Sequence, residues 1–90
     1  MSEHLNIIVH GKVQGVNFRQ ETAEKARGLG LKGFVRNEPD GTVRIEAEGH
    51  ATVLQKMLAW CRQGPALAQV SRCEASVGPQ QDFKSFEIRR

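Results

Sequence analysis

The consecutive residues Gly11, Lys12, Val13, Gln14, Gly15, Val16, Asn17, Phe18 and Arg19 combine the chemistries of an anion site. Two glycines four positions apart let the backbone take positive φ or approach a ligand with no side chain in the way. The run then enters a helical pattern, and the first unpaired N–H groups of a helix carry partial positive charge. Backbone donors converging in this way suit the oxygens of phosphate or carboxylate. Arg19 adds a planar fork of donors matched to the same oxygens. Its cation sits at the helix end where positive charge is mildly unfavourable, a local conflict that a bound anion relieves. The run is not a Walker loop, because Val16, and not Lys followed by Ser or Thr, comes after the second glycine. A nucleotide with magnesium is therefore not expected.

Such a loop needs a strand before it and a helix after it. Leu5, Ile7 and Val9 alternate with His4, Asn6, Ile8 and His10, which predicts a first strand with at least one buried face. Asn17, with Gln20 three positions on, gives a capping-box start to the first helix. Its narrow apolar stripe is Phe18, Thr22, Ala26 and Leu29 with Ala23 beside them, and Gly28 and Gly30 supply the stop. Phe34 and Val35 predict a second strand over 33–37. Pro39-Asp40-Gly41 is a turn, and Val43, Ile45 and Ala47 alternate with Arg44, Glu46 and Glu48 in a third strand, making an antiparallel hairpin. Thr52 and Gln55 form a second capping box, opening a helix whose inward face is Val53, Leu54, Met57, Leu58 and Cys61 and which Gly64-Pro65 ends. A fourth strand is expected over 70–77, a turn or loop over 78–82, and a closing edge strand around Phe83, Phe86 and Ile88. The order β-α-β-β-α-β with a short strand appended predicts an α+β, two-layer ferredoxin-like sandwich: an antiparallel sheet of four to five strands with two helices on one face.

Composition narrows the setting. Ninety residues fit a single domain, and 39% hydrophobic with 26% charged residues describes an ordinary globular chain. The net charge of +3 comes from thirteen basic residues scattered along the sequence, which argues for a solvated surface and against a polybasic patch. Cys61 and Cys73 are too few and too far apart for a disulfide framework or a paired zinc site. His4, His10 and His50 lack metal-ligand spacing and are expected to be exposed, with Trp60 a packing residue. The start Met1-Ser2-Glu3-His4 has no leader character, and no apolar run approaches the roughly 18 residues of a membrane span, so a cytoplasmic setting without membrane contact is expected.

The run from Gly11 to Arg19, followed by Gly33-Phe34-Val35-Arg36-Asn37 and Asp40-Gly41-Thr42-Val43, resembles the acylphosphatase family. The likeness continues through Glu48-Gly49, Trp60, Gly64-Pro65 and Phe86-Glu87-Ile88-Arg89. The resemblance implies a monomeric enzyme that hydrolyses the carboxyl–phosphate anhydride of small acyl phosphates, releasing a carboxylate and inorganic phosphate without metal or organic cofactor. It implies that the loop amides of Gly11, Lys12, Val13, Gln14, Gly15, Val16, Asn17 and Phe18 cradle the phosphate, that Arg19 holds its oxygens, and that Asn37 positions the attacking water. An asparagine suits that task, since its carbonyl accepts from water while its amide donates; it is a poor base, so orientation is the expected role. Lys12 stands where arginine is frequent in the family, and Asn17 occupies a variable position, where it tunes access or caps the helix.

Other functions of the same element order fit less well. RNA-recognition domains stack bases on strand aromatics, whereas the third strand has no aromatic residue and carries Glu46 and Glu48. Small metal carriers use a Cys-x-x-Cys loop, which is absent from this sequence. The nearer alternative is a non-catalytic or carbamoyl-phosphate-handling acylphosphatase-like domain of a larger carbamoyl-transferring maturation enzyme, which requires further domains.

Overall fold

The computed structural model describes residues 2–90. Along the chain run β1 (Glu3–Lys12), α1 (Phe18–Gly28), β2 (Lys32–Asn37), β3 (Val43–Gly49), α2 (Ala51–Gln63), β4 (Gln69–Gly78) and β5 (Phe86–Arg89). The strands form one sheet in the order β4-β1-β3-β2-β5. Alternation places Leu5, Ile7 and Val9 of β1 beside Val43, Ile45 and Ala47 of β3, and all six are buried. Against them α1 packs Phe18, Thr22, Ala23 and Ala26, and α2 packs Leu54, Met57, Leu58 and Cys61. Burial of a Val, Leu, Ile, Phe or Met side chain stabilises by about 1.5–3 kcal/mol, so this single apolar layer is the main source of cohesion. Trp60 borders it, its ring 5.8 Å from that of Phe18. Burial also pushes the Cys61 thiol well above its ordinary range, with Cys73 adding to the effect, which leaves it an inert core residue.

The sheet is mixed, not wholly antiparallel, because β5 runs parallel to β2. The registers give the reason. His4 pairs with both Gly78 and Glu48, and Glu48 pairs with Lys32, so the end of β4 and the start of β2 lie at the same edge of the sheet. Residues 79–85 cross that edge and deliver β5 beside β2 in the same direction.

This crossing buries two residues expected outside. His4 and Glu48 are each 3% exposed. The Glu48 carboxylate accepts from His4 Nδ1 at 2.6 Å, the Gln81 amide at 2.5 Å, the Phe83 amide at 3.1 Å and Gln80 Nε2 at 3.2 Å. Burial opposes its charge, but the Gln81 amide, His4 and the Phe83 amide outweigh that and hold the carboxyl below the ordinary range. Phe83 closes the cluster with its ring 5.9 Å from His4 and edge-on to Phe34 at 5.8 Å. His10 is half-buried and paired with Glu74 at 2.6 Å, while His50 is exposed.

Neither capping box forms. Asn17 does precede α1, but with φ 63 and ψ 21 and no side-chain cap hydrogen bond; a side-chain cap needs an extended N-cap backbone to bring its oxygen over the first N–H groups. In α2 the cap position falls on His50, so Thr52 already lies inside the helix. The far end of α1 stops as its glycines suggest: the Gly30 amide donates to Arg27 O at 3.0 Å and the Leu31 amide to Ala26 O at 2.9 Å, the paired bonds of a Schellman end.

Candidate active site

The loop begins at an irregularity in β1. The register against β4 shifts between His10 and Gly11, and Gly11 has φ 125. A Cβ there would lie 2.1 Å from Gln69 O, so no other residue fits this close strand approach. Val13 then inserts fully into the core and Val16 packs against it. Between and after these anchors the backbone turns at Gly15 (φ 73) and Asn17 (φ 63). Asparagine is among the non-glycine residues that best tolerate this left-handed region. Asn17 therefore acts through its backbone, turning the loop into α1.

The facing wall comes from the β2–β3 connection. The Glu38 amide donates to Thr42 O at 2.9 Å, and the Gly41 amide to Glu38 O at 3.1 Å. Asp40 Oδ1 accepts from the Thr42 hydroxyl at 2.6 Å and the Thr42 amide at 3.0 Å, and these bonds hold its carboxyl below the ordinary range. Asn37, the last residue of β2, precedes this turn, and its Oδ1 is buried without a hydrogen-bond partner. An unmet buried acceptor costs about 1–3 kcal/mol, so this atom is poised to take a donor.

Between the two walls lies a cleft of ≈ 510 Å³. Of the predicted residues, Val13, Gly15, Asn17, Phe18, Arg19 and Asn37 line it. Gly11, Lys12, Gln14 and Val16 are not part of the lining: Gly11 and Lys12 belong to β1, Val16 faces the core, and the Gln14 side chain donates to Glu38 O and Thr42 O, each at 2.8 Å. Arg19 is half-buried, and its Nη1 donates to Arg89 O at 3.2 Å, which fixes the guanidinium against β5. Thr22, a turn further along α1, has a buried hydroxyl without a partner.

Gln20, Ile88 and Arg90 complete the lining and were not expected there. Phe86, Ile88 and Arg90 share one face by strand alternation, a signal present in the sequence, but its relevance depends on β5 lying beside β2. The lining holds two arginines, two asparagines and a glutamine and no acidic side chain, so its side-chain charge favours an anion. Among the described residues no group of three or more His, Cys, Asp or Glu is arranged to hold a metal ion. No helix among them is long and apolar enough to cross a membrane.

A two-layer βαββαβ sandwich with a cleft between its first loop and the end of its second strand, lined by two arginines and no acidic side chain, places the chain in the ferredoxin-like class with a cleft suited to an anion. The acylphosphatase family model matches residues 5–88, and the chain belongs to that family. It is 45% identical over 86 residues to an acylphosphatase of Acaryochloris marina, an alignment covering 96% of this chain and 92% of that one. To an acylphosphatase of Anaeromyxobacter dehalogenans it is 48% identical over 84 residues, covering 92% and 90%. The crystal structure of acylphosphatase from Bacillus subtilis superposes with a TM-score of 0.94 at 32% identity, covering 100% of both chains.

Proposed function

We propose that the chain is an acylphosphatase, hydrolysing the carboxyl–phosphate anhydride of small acyl phosphates to a carboxylate and inorganic phosphate. The observation that carries this reading is the meeting of Gly15, Arg19 and the unpartnered Oδ1 of Asn37 in one cleft without acidic side chains, in a chain of this family.

The phosphoryl group sits against the loop that follows β1, residues 13–18, where backbone N–H groups and the Arg19 fork meet its non-bridging oxygens. Arg19 Nη1 is anchored on Arg89 O, and the other guanidinium N–H groups are the donors this reading assigns to the phosphate. Asn37 Oδ1 accepts a hydrogen bond from water and aims the oxygen at phosphorus. As the water oxygen bonds to phosphorus, the bond from phosphorus to the acyl oxygen breaks and its electron pair leaves with the carboxylate. One proton of the attacking water stays on its oxygen, now bonded to phosphorus, and the other passes to a non-bridging phosphate oxygen. Charge accumulates on the oxygens that the loop and Arg19 hold, so catalysis is mostly positioning and electrostatic stabilisation. An acyl phosphate has a good leaving group, so a residue that orients water without deprotonating it suffices. No metal or organic cofactor enters this scheme. The same reading takes the chain to act as a single domain and a monomer in the cytoplasm, with no nucleic-acid or membrane partner.

The test is hydrolysis of an aryl acyl phosphate by the purified protein in the presence of a chelator, beside Arg19→Ala. The wild type is expected to turn over, and the variant to lose roughly 10²- to 10³-fold, the effect of removing one transition-state donor. A background rate for the wild type at every accessible pH sinks the activity, and full activity in Arg19→Ala removes Arg19 from the site.

A further inference from the structure

We infer that Gln14 is a positioning residue that sets Asn37 relative to the phosphate loop, an inference resting on the acyl phosphate reading above. The walls of the cleft come from separate parts of the chain, the loop after β1 and the end of β2, and one side chain bridges them. Gln14 Nε2 lies 2.8 Å from Glu38 O and 2.8 Å from Thr42 O. A carboxamide nitrogen carries two N–H groups, so each carbonyl receives one. Glu38 follows Asn37 directly, and Thr42 precedes Val43, the residue paired with Asn37 across the hairpin. Any displacement of the Gln14 amide is therefore passed to both peptides that flank the Asn37–Val43 pair. Asn37 Oδ1 has no hydrogen bond of its own to resist it.

Two further observations separate this role from ligand contact and from mere folding. The Gln14 side chain does not line the cleft, so it does not touch a ligand bound there. The turn is also closed without Gln14: Thr42 O still accepts from the Glu38 amide, and Glu38 O from the Gly41 amide. With one partner left on each carbonyl, loss of Gln14 loosens where the turn sits and does not open it.

The test compares Gln14→Met, which keeps the length and removes both donors, with Gln14→Glu. In Gln14→Met, kcat for an aryl acyl phosphate is expected to fall on the order of 10²-fold, the penalty for misplacing a reacting group by about 1 Å. Inhibition by inorganic phosphate should weaken by less than about threefold, since the variant keeps every backbone N–H of the loop and Arg19. At neutral pH the carboxylate of Gln14→Glu opposes two carbonyl oxygens. As pH falls into the carboxyl range, which the two carbonyls and partial burial move upward, it regains one O–H donor, so activity relative to wild type rises with acid in Gln14→Glu and stays flat in Gln14→Met. The Asn37 side-chain amide resonance of substrate-free protein should also move in Gln14→Met. A kcat within about twofold of wild type in Gln14→Met overturns the inference. So does loss of phosphate inhibition in parallel with kcat, or failure of both variants to fold by far-UV circular dichroism. A wild type inert toward acyl phosphates defeats the activity alone, and the Asn37 resonance then decides the clamp: an unmoved signal refutes it.

Discussion

Glu48→Gln tests whether the buried cluster under residues 79–83 holds the C-terminal part of the sheet in place. The Glu48 Oε2 atom takes hydrogen bonds from His4 Nδ1 and the Gln81 amide, and Oε1 from the Phe83 amide and Gln80 Nε2. Glutamine is nearly the same shape but offers only one accepting oxygen. If that oxygen takes the Oε1 place, the Gln81 amide is stranded; if it takes the Oε2 place, the Phe83 amide is stranded. His4 can turn its other tautomer toward the new NH₂, but a backbone amide has no such choice. An orphaned buried donor costs about 1–3 kcal/mol, and the remaining bonds lose the gain of a charged acceptor, about 1 kcal/mol more. The sum is about 2–4 kcal/mol. A chain of 90 residues loses roughly 4–8 °C of Tm per kcal/mol, so the expected drop is about 8–32 °C at neutral pH.

The pH dependence carries a sign. The folded carboxyl ionises below its ordinary value, so its contribution is fully present above the unfolded value near 4.5 and is lost as pH falls through the depressed folded value. The gap in Tm between wild type and Glu48→Gln, followed by calorimetry, should be widest at neutral pH and close in acid. A neutral-pH gap under about 4 °C, or one that does not change between neutral pH and pH 3, refutes the account.

Two further predictions concern the cleft. Asn37→Ala should lower kcat much more than it weakens inhibition by inorganic phosphate; the reverse pattern would make Asn37 a binder and not a water-orienting residue. Gly15 has φ 73, and a Cβ there meets nothing within 4 Å, so Gly15→Ala should fold at a cost of about 1–2 kcal/mol from the left-handed backbone. The methyl group narrows the cradle, so phosphate inhibition should weaken about tenfold, equivalent to roughly 1.4 kcal/mol of binding; undiminished inhibition in a folded variant would show that Gly15 serves the turn alone.

What was legible in the sequence is local. Alternation over β1 and β3, the turn at Pro39-Asp40-Gly41 and the stripes of both helices follow from side-chain periods of two and 3.6, and the structure keeps each of them. The glycines of the first loop were legible for the same reason, since backbone freedom is a property of single residues. The failures over Glu48 and β5 depend on partners distant in the chain. Alternation put Glu48 on the open face of the sheet, and it is there; its burial comes from residues 79–83, and no local pattern says where they cross. Ile88 and Arg90 reach the cleft only because β5 lies along β2.

Asn17 and Gln14 show the two ways in which a motif conceals its physics. For Asn17 the residue type was compatible with two conformations, an extended N-cap or a left-handed turn, and spacing to Gln20 favoured the first. The backbone chose the second, because a loop that has just turned at Gly15 must turn again to start α1. For Gln14 the motif placed it among cradle residues, whereas its side chain points out of the cradle to Glu38 O and Thr42 O. A binding motif therefore includes residues that fix where the second half of a site sits. If the clamp inference holds, the separation of Gln14 from Asn37 in sequence is what a site assembled from two loops requires: one residue in the first loop must measure the position of the second.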